Sequence, residues 1–371
     1  MSGGLDSSVA AALLKRAGFH VTGVFKKFWM APEKNGLVGT WNRCCSPEAE
    51  ARARKVAKIL KIPFYVFNFE KEFKKRIVDY FLDGYKKGVT PNPCVVCNKE
   101  IKFGLLLEKA LTLDADYIAT GHYARTNLDW KNLTKNPRLM KGKDREKDQS
   151  YFLWMLNQNQ LKRILFPIGD YTKDKVRALA KKFNLPVLDI PESMEICFIQ
   201  TTINNFLKRY LKPKPGPICA RWNLAQKVVG RHEGLAFYTI GQRKGIRLPG
   251  GPYYVLGKDL KKNLLVVTKN EKDLYKKELL VKNVNWISPK HPALFGERAG
   301  ATGQAGKEQK LPLKIKAKIR YRHQPASATI TKRLQSKVYS LRFKSAQRAI
   351  TPGQSAVFYK GQELLGGGII C

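Results

Sequence analysis

Residues 2–15 read SGGLDSSVAAALLK, two glycines ahead of an alanine-rich helical pattern that would stop at Gly18. Gly3 and Gly4 let backbone N–H groups fold around an anion, and the positive end of a helix adds to that field. Ser2, Ser7 and Ser8 place short hydroxyls where phosphate oxygens would lie, and Asp6 falls in the first helical turn. The lysine of the other common phosphate loop, G-x-x-x-x-G-K-[ST], is absent. The stretch predicts a phosphate loop opening a helix and, with it, an α/β sheet. A buried strand belongs immediately before such a turn, so a segment of about ten residues, one strand with its lead-in, is expected upstream of Met1.

The residues that follow alternate in the same sense. HVTGVFKKF (20–28) reads as a strand. SPEAEARARKVAKILKI (46–62) reads as a helix with Ser46 as N-cap and Pro47 at its first position. PFYVFNF (63–69) is a strand, 70–88 a helix stopped by Gly88, 99–113 a helix, and DYIATGH (116–122) a strand. Alternation of this kind predicts a parallel sheet covered by helices, with ligands bound outside the carboxyl ends of the strands. From about residue 210 the texture changes to short strand-like runs punctuated by Gly, Pro and Asn, such as KVVGRHEG, PYYVLGKDL and KVYSLRF. Three domains are expected: an α/β nucleotide domain over 1–205, a small, mostly β linking domain over 206–280, and a β-barrel over 281–371. Residues 296–312 read as a polar loop or insertion.

The formal charge is +40, with 35 Lys and Arg against 21 Asp and Glu in residues 1–200 and 34 against 8 in the rest. Such an excess points to a polyanionic partner, nucleic acid above all. No apolar run is long enough to span a bilayer, and the N-terminus has neither the basic start of a signal peptide nor the Arg-rich make-up of a transit peptide. Seven cysteines in a long chain suit a reducing compartment, so a cytoplasmic protein with no membrane partner is expected.

Residues 91–98, PNPCVVCN, set two cysteines in a Pro-Asn-Pro loop before a helix. Zinc would need a second ligand pair; Cys44 and Cys45 are adjacent, Cys197, Cys219 and Cys371 stand alone, and no metal-ligand set is read in the chain. A thioredoxin-like pair does not suit that loop. A nucleophile would fit Cys97 at the mouth of a helix capped by Asn98, where a thiolate is favoured. Cys197, in ESMEICFIQ, reads by itself as a small buried hydrophobe. On the residues alone, nucleophile and packing both stand.

SGGLDSS, TPNPCVVCNKEIKFG, ATGHYAR, KDQSYFLW, ICFI, HEGLAFYTIGQRKG, KIRYRHQP and TPGQSAVFY occur in that order. Together they resemble the tRNA-specific 2-thiouridylase family, from residue 1 to about 368, and residues 42–73 look like its bacterial form. The resemblance identifies the opening loop as the PP-loop of ATP pyrophosphatases, in an adenine nucleotide alpha hydrolase-like fold. It implies sulfur transfer to C2 of the wobble uridine of tRNA, with ATP cleaved to AMP and pyrophosphate and Mg²⁺ offsetting the phosphate charge. Ser2, Gly3, Gly4, Asp6, Ser7, Ser8, Lys26 and Gly121 would bind ATP. Lys26 departs from the family, which commonly has Met there against adenine. Cys197 would carry a persulfide received from a sulfur-relay protein or a cysteine desulfurase. Cys97 would be the nucleophile that releases the sulfur, and Cys94 an acid/base or a ligand. Cys94, Cys97 and Cys197 together could instead hold an iron–sulfur cluster. Asn92, Pro93 and Cys94 would meet the target base, flipped from its stack. His122, Lys147, Asp148, Gln149, Arg320, Tyr321 and Gln354 would meet the tRNA. Two other readings compete, a different PP-loop RNA thiolase and a non-catalytic RNA-binding protein with a relic nucleotide loop.

Overall fold

The computed structural model describes residues 1–31, 45–128, 136–190, 196–222, 225–288, 311–333 and 337–371. Cys44 and most of the polar segment 296–312 lie outside them.

The opening helix, α1 (Leu5–Arg16), has Asp6 in its first turn and Lys15 and Arg16 in its last, the arrangement its dipole favours. Its run from Ser8 to Ala12 is buried, and it packs between α2 (Pro47–Leu60) and the helix Lys173–Lys182. Ser46 caps α2 by accepting from the Ala49 amide at 3.2 Å, with Pro47 at the first position, as the sequence predicts. The parallel sheet consists of two pairs. β1 (Gly23–Lys27) runs beside β2 (Phe64–Asn68), and Ile118–Ala119 runs beside Ile164–Leu165. The amide of Gly23 donates toward β2, so alternation turns Val24 to the opposite edge of β1, where the Met1 amino group meets the Val24 carbonyl.

The middle region folds as four strands in the order Ala225–His232, Gly216–Trp222, Leu264–Thr268 and Tyr254–Asp259. Its inner face does not form a core of its own. Ile218, Val255, Leu265 and Val267 join Phe25, Phe73, Phe81 and Cys97 in one apolar cluster. The C-terminal region closes into a six-stranded antiparallel barrel: Tyr275–Trp286, Tyr339–Arg348, Ala326–Lys332, Leu313–Lys318, Ser355–Lys360 and Glu363–Ile370, the last pairing back to the first. Closure removes free edges. One feature has no counterpart in the sequence reading: Ala124–Thr126 and Leu139–Lys141, from the nucleotide domain, extend the barrel sheet by pairing Met140 with Glu363. Among the described residues no helix is long and apolar enough to cross a membrane.

Candidate active site

Gly3 adopts φ 69°, and a Cβ there would lie 2.2 Å from the Ala49 carbonyl oxygen, so the turn tolerates glycine alone. Arg52 donates to the Gly3 carbonyl at 3.3 Å, tying the loop to α2. The hydroxyls of Ser2 and Ser7 lie 3.1 Å apart at the loop mouth. Ser8 differs: it is wholly buried, and its hydroxyl donates to the Gly4 carbonyl at 2.9 Å. That bond braces the loop from within.

Gly121 lies against the start of α1, where a Cβ would come within 2.7 Å of the Asp6 carbonyl carbon and the Ser7 nitrogen. That close approach carries Tyr123 to Asp6, whose Oδ1 accepts from the tyrosine hydroxyl at 2.8 Å. Lys173 completes the group, its Nζ 2.8 and 3.0 Å from the two Asp6 oxygens and its side chain only 8% exposed. The main-chain amide of Lys173 donates to Asp144, which also accepts from the amides of Glu146 and Lys147. Burial pushes the Asp144 carboxyl up, but these three donors outweigh it and hold it below the ordinary range. The segment holding Lys147, Asp148 and Gln149 is thereby linked to the phosphate loop.

Asp148 and Gln149 face inward. Asp148 is buried, accepting from the amides of Gly142 and Ser150 and from the Ser150 hydroxyl. Gln149 and Tyr123 exchange two hydrogen bonds, Gln149 N–H to the Tyr123 carbonyl at 2.8 Å and Tyr123 N–H to Gln149 Oε1 at 3.0 Å. Asp148 and Gln149 thus brace this part of the site from within. His122 is also buried, between Phe103 and Phe166, with Nδ1 2.8 Å from the Thr120 hydroxyl. Burial first, then the charges of Lys102 and Lys26, lower its pKa well below the usual value, so it stays neutral. The unfolded chain takes up that proton near pH 6.5 and the folded chain does not. Stability is therefore expected to fall as pH drops below about 6.5, and His122→Gln to reduce the slope by up to about 1.4 kcal/mol per pH unit. Denaturant titrations between pH 7 and pH 5 measure it; equal slopes would mean that the imidazole protonates in place.

Cys94 and Cys97 lie on a helix that runs without a break from 93 to 111 and widens to π-helical turns over Asn98–Leu105. Its cap is Asn92, which accepts from the Val95 amide at 3.4 Å, and Pro93 is its first residue. The expected cap, Asn98, instead lies inside the helix and donates to the Phe152 carbonyl at 3.0 Å. Cys94 is consequently the second helical residue and half-buried, and Cys97, one turn on, is 7% exposed. Wide turns of this kind recur at functional sites. Cys197 packs against the same apolar cluster that holds Cys97. Its neighbour Phe198 anchors the turn, lying edge-on to Phe73, Phe81 and Phe206 at centroid distances of 5.8, 5.4 and 5.5 Å. Cys94, Cys97 and Cys197 are not in disulfides. Among the described residues no three His, Cys, Asp or Glu side chains are grouped to hold a metal ion, so the three thiols do not fit an iron–sulfur cluster in this arrangement.

The barrel reaches this helix through one turn. Thr90 donates its amide to the Pro352 carbonyl at 2.9 Å, and the Gln354 side-chain amide donates to the carbonyls of Thr90 and Pro91 at 2.8 and 3.4 Å. Arg320 braces the turn from behind, its Nη2 donating to the Ala349 carbonyl and the Thr351 hydroxyl. The middle domain meets the same residue, with Thr239 Oγ1 3.3 Å from Thr90 Oγ1. All three domains therefore converge two residues before the cap Asn92. Tyr321 is half-buried, its ring 4.5 Å from that of Phe152, with Lys318 over it at 5.3 Å.

Three family models match in succession: the HUP domain described as tRNA methyl transferase over residues 1–201, the PRC-barrel domain of the same description over 204–269, and the aminomethyltransferase β-barrel domain over 276–370. Full-length relatives carry a different chemical name. A tRNA-specific 2-thiouridylase MnmA 2 of Thermoanaerobacter sp. is 46% identical over 374 residues, covering 100% of this chain and 96% of that protein. The tRNA-specific 2-thiouridylase MnmA of Clostridioides difficile is 42% identical over 375 residues, covering 100% and 96%, and that of Thermus thermophilus 41% over 377, covering 100% and 93%. The chain belongs to the tRNA-specific 2-thiouridylase family. Names of whole proteins that span this chain from end to end outweigh the methyl-transferase wording attached to single domains.

In this 2-thiouridylase-family chain, sequence reasoning missed Tyr123, Lys173, Asp144 and Thr90. Tyr123 stands inside a motif already quoted, ATGHYAR, and Thr90 opens another. Lys173, in YTKDKVR, reads as a surface lysine at a helix start and gives no sequence signal of its pairing with Asp6.

Proposed function

We propose that this chain catalyses ATP-dependent 2-thiolation of the wobble uridine of tRNA. The observation that carries the reading is the identity of 41–46% to proteins of that name over the whole chain, in a sequence that keeps Asp6, Cys97 and Cys197. ATP would lie on the loop of Ser2, Gly3 and Gly4, its phosphates at the start of α1. The O2 of the target uridine attacks the α-phosphorus, pyrophosphate departs, and the base is left as an O2-adenylate. The terminal sulfur of a Cys197 persulfide attacks C2, and AMP leaves with the C–O bonding pair. A disulfide then links the base to Cys197. The Cys97 thiolate attacks Cys197 Sγ, forming a Cys97–Cys197 disulfide and releasing 2-thiouridine; an external thiol reduces the pair for the next turnover. In a variant of the same scheme the Cys97 thiolate attacks Cys197 Sγ of the persulfide first, forming the disulfide and expelling hydrosulfide, which attacks C2 as AMP leaves.

Mg²⁺ fits the donor set in one way. With no cage of carboxylates among the described residues, it would be held by phosphate oxygens together with Asp6, and would supply charge neutralisation. Asn92, Pro93 and Cys94, at the start of the helix that carries Cys97, would meet the flipped base. The sulfur donor would be a relay protein or a cysteine desulfurase, and the cytoplasm is the compartment that suits reduced cysteines of this kind. The test mixes unmodified tRNA, ATP, Mg²⁺ and a persulfide donor with the protein and reads digested nucleosides by mass. Appearance of 2-thiouridine supports the proposal, and AMP formation without it would point to a different PP-loop chemistry.

Gln354 is expected to act on the rate rather than on RNA affinity, because its amide is spent on Thr90 and Pro91. Gln354→Ala should lower kcat roughly tenfold, the scale of losing one or two bonds that align a catalytic element, while KM for tRNA moves less than threefold. A rise in KM at constant kcat would return Gln354 to the role of RNA ligand.

A further inference from the structure

We propose that a cleft in the middle domain between Arg243 and Tyr253 is a second docking site for the phosphodiester backbone of the tRNA, away from the target base. The inference rests on the reading above that tRNA is the substrate. The cleft has a volume of about 410 Å³ and is lined by Arg243, Ile246, Arg247, Leu248, Pro252 and Tyr253. Ile246 is buried and gives it an apolar floor, while both arginines are exposed at its rim. Arg243 makes no ion pair and no side-chain hydrogen bond among the described residues. Arg247 is paired with Glu233 at 3.6 Å, a carboxylate it shares with Lys208, and its side chain remains 83% exposed. Lys269 stands over the Tyr253 ring at 5.2 Å, adding a third cation. Two arginines at the rim, one of them sharing Glu233 with Lys208, and Lys269 beside the tyrosine form a basic cleft of a size that accepts a nucleotide unit.

The backbone gives a separate argument. Arg247 adopts φ 55°, in the left-handed region that favours glycine. A strained arginine at the rim of a cleft is the pattern seen where function holds a side chain in place against local preference. The loop is anchored as well. Thr239 N–H donates to Gln242 Oε1, Gln242 Nε2 to the Lys244 carbonyl, and Gly241 N–H to the Val255 carbonyl. Thr239 is also the middle-domain residue that touches Thr90. RNA held in the cleft would thus be gripped on a segment fastened to the residues that lead into the catalytic helix.

The experiment measures tRNA affinity against salt concentration for wild type, for Arg243→Gln/Arg247→Gln, and for Lys181→Gln/Lys182→Gln, which removes the same charge from an exposed helix end elsewhere. The slope of log K against log salt should fall by about one for each arginine lost from a phosphate and stay unchanged in the lysine control. Arg247→Gly should lower the slope by about one while melting no lower than wild type, because it relieves the left-handed backbone. Equal slopes for wild type and the arginine variants, or an equal loss in the lysine control, would overturn the cleft. Failure of the wild type to bind tRNA at all would instead overturn the functional reading beneath it.

Discussion

Cys97→Ser is expected to lower steady-state formation of 2-thiouridine by at least about a thousandfold and to leave tRNA attached to the protein through a disulfide to Cys197. A thousandfold corresponds to about 4 kcal/mol on the activation barrier of the release step. The reason lies in the order of bonds. Once the terminal sulfur of the Cys197 persulfide has joined C2 and AMP has gone, the base is tied through sulfur to Cys197, and only a second thiolate can open that disulfide. Serine at 97 cannot do so near neutral pH, whereas an added small thiol can. The variant should therefore show a protein–RNA band on a non-reducing gel, and dithiothreitol should release one equivalent of 2-thiouridine from it. Cys197→Ser has no sulfur to deliver and should give neither band nor product. Cys97 is fixed on a helix, Cys197 lies in a turn beside the packed ring of Phe198, and both meet one apolar cluster. Turnover of Cys97→Ser close to wild type, or an adduct formed by Cys197→Ser, would sink the assignment of roles.

The local rules read correctly wherever a segment decides its own shape. Ser46–Pro47 announced a helix start and is one. Asn92–Pro93 carries the same signature, an N-cap residue followed by proline, but the flanking Pro91 gives the stretch the composition of a loop. With Asn98 as the cap the helix starts six residues too late and Cys97 stands just ahead of it; the observed cap, Asn92, puts Cys94 in the first turn. The wide turns over Asn98–Leu105 have no periodicity signal that a sequence could show. Polar residues were harder still. Asp148, Arg320 and Gln354 are all of types that face solvent on most surfaces, yet each is drawn inward by partners on another element. Such pairings are a property of the assembled domains. The same holds for the hairpin that the nucleotide domain lends to the barrel, since neither Ala124–Thr126 nor Leu139–Lys141 is long enough to read as a strand alone. Charge, in contrast, is legible as a total and silent about place: a formal +40 does not say that Arg243 lacks a partner among the described residues while Arg320 has two.

Lys173→Met is expected to slow the ATP-consuming half of the reaction by roughly a hundredfold to a thousandfold while tRNA affinity stays within about threefold of wild type. Lys173 is the buried partner of Asp6, bonded to both carboxylate oxygens, with Tyr123 holding one of them from another side. A triphosphate arriving at the loop adds negative charge beside a carboxylate that is itself only one-third exposed. Without the ammonium, the site would hold Asp6 and the phosphates against each other with little solvent to screen them. Methionine keeps the volume of the side chain, so the loss falls on charge and orientation rather than on packing. Stability should drop too, by about 1–3 kcal/mol, less than for a wholly buried pair because Asp6 reaches solvent. Asp6→Asn alone leaves the ammonium unpaired, and Asp6→Asn/Lys173→Met should be less unstable than the two single changes added together. Pyrophosphate release in the presence of tRNA reads the rate, and denaturant unfolding of the four proteins closes the cycle. If Lys173→Met released pyrophosphate within threefold of wild type and the stabilities simply added, Lys173 would be a surface-type lysine that happens to be covered, and Asp6 would owe its position to Tyr123 alone.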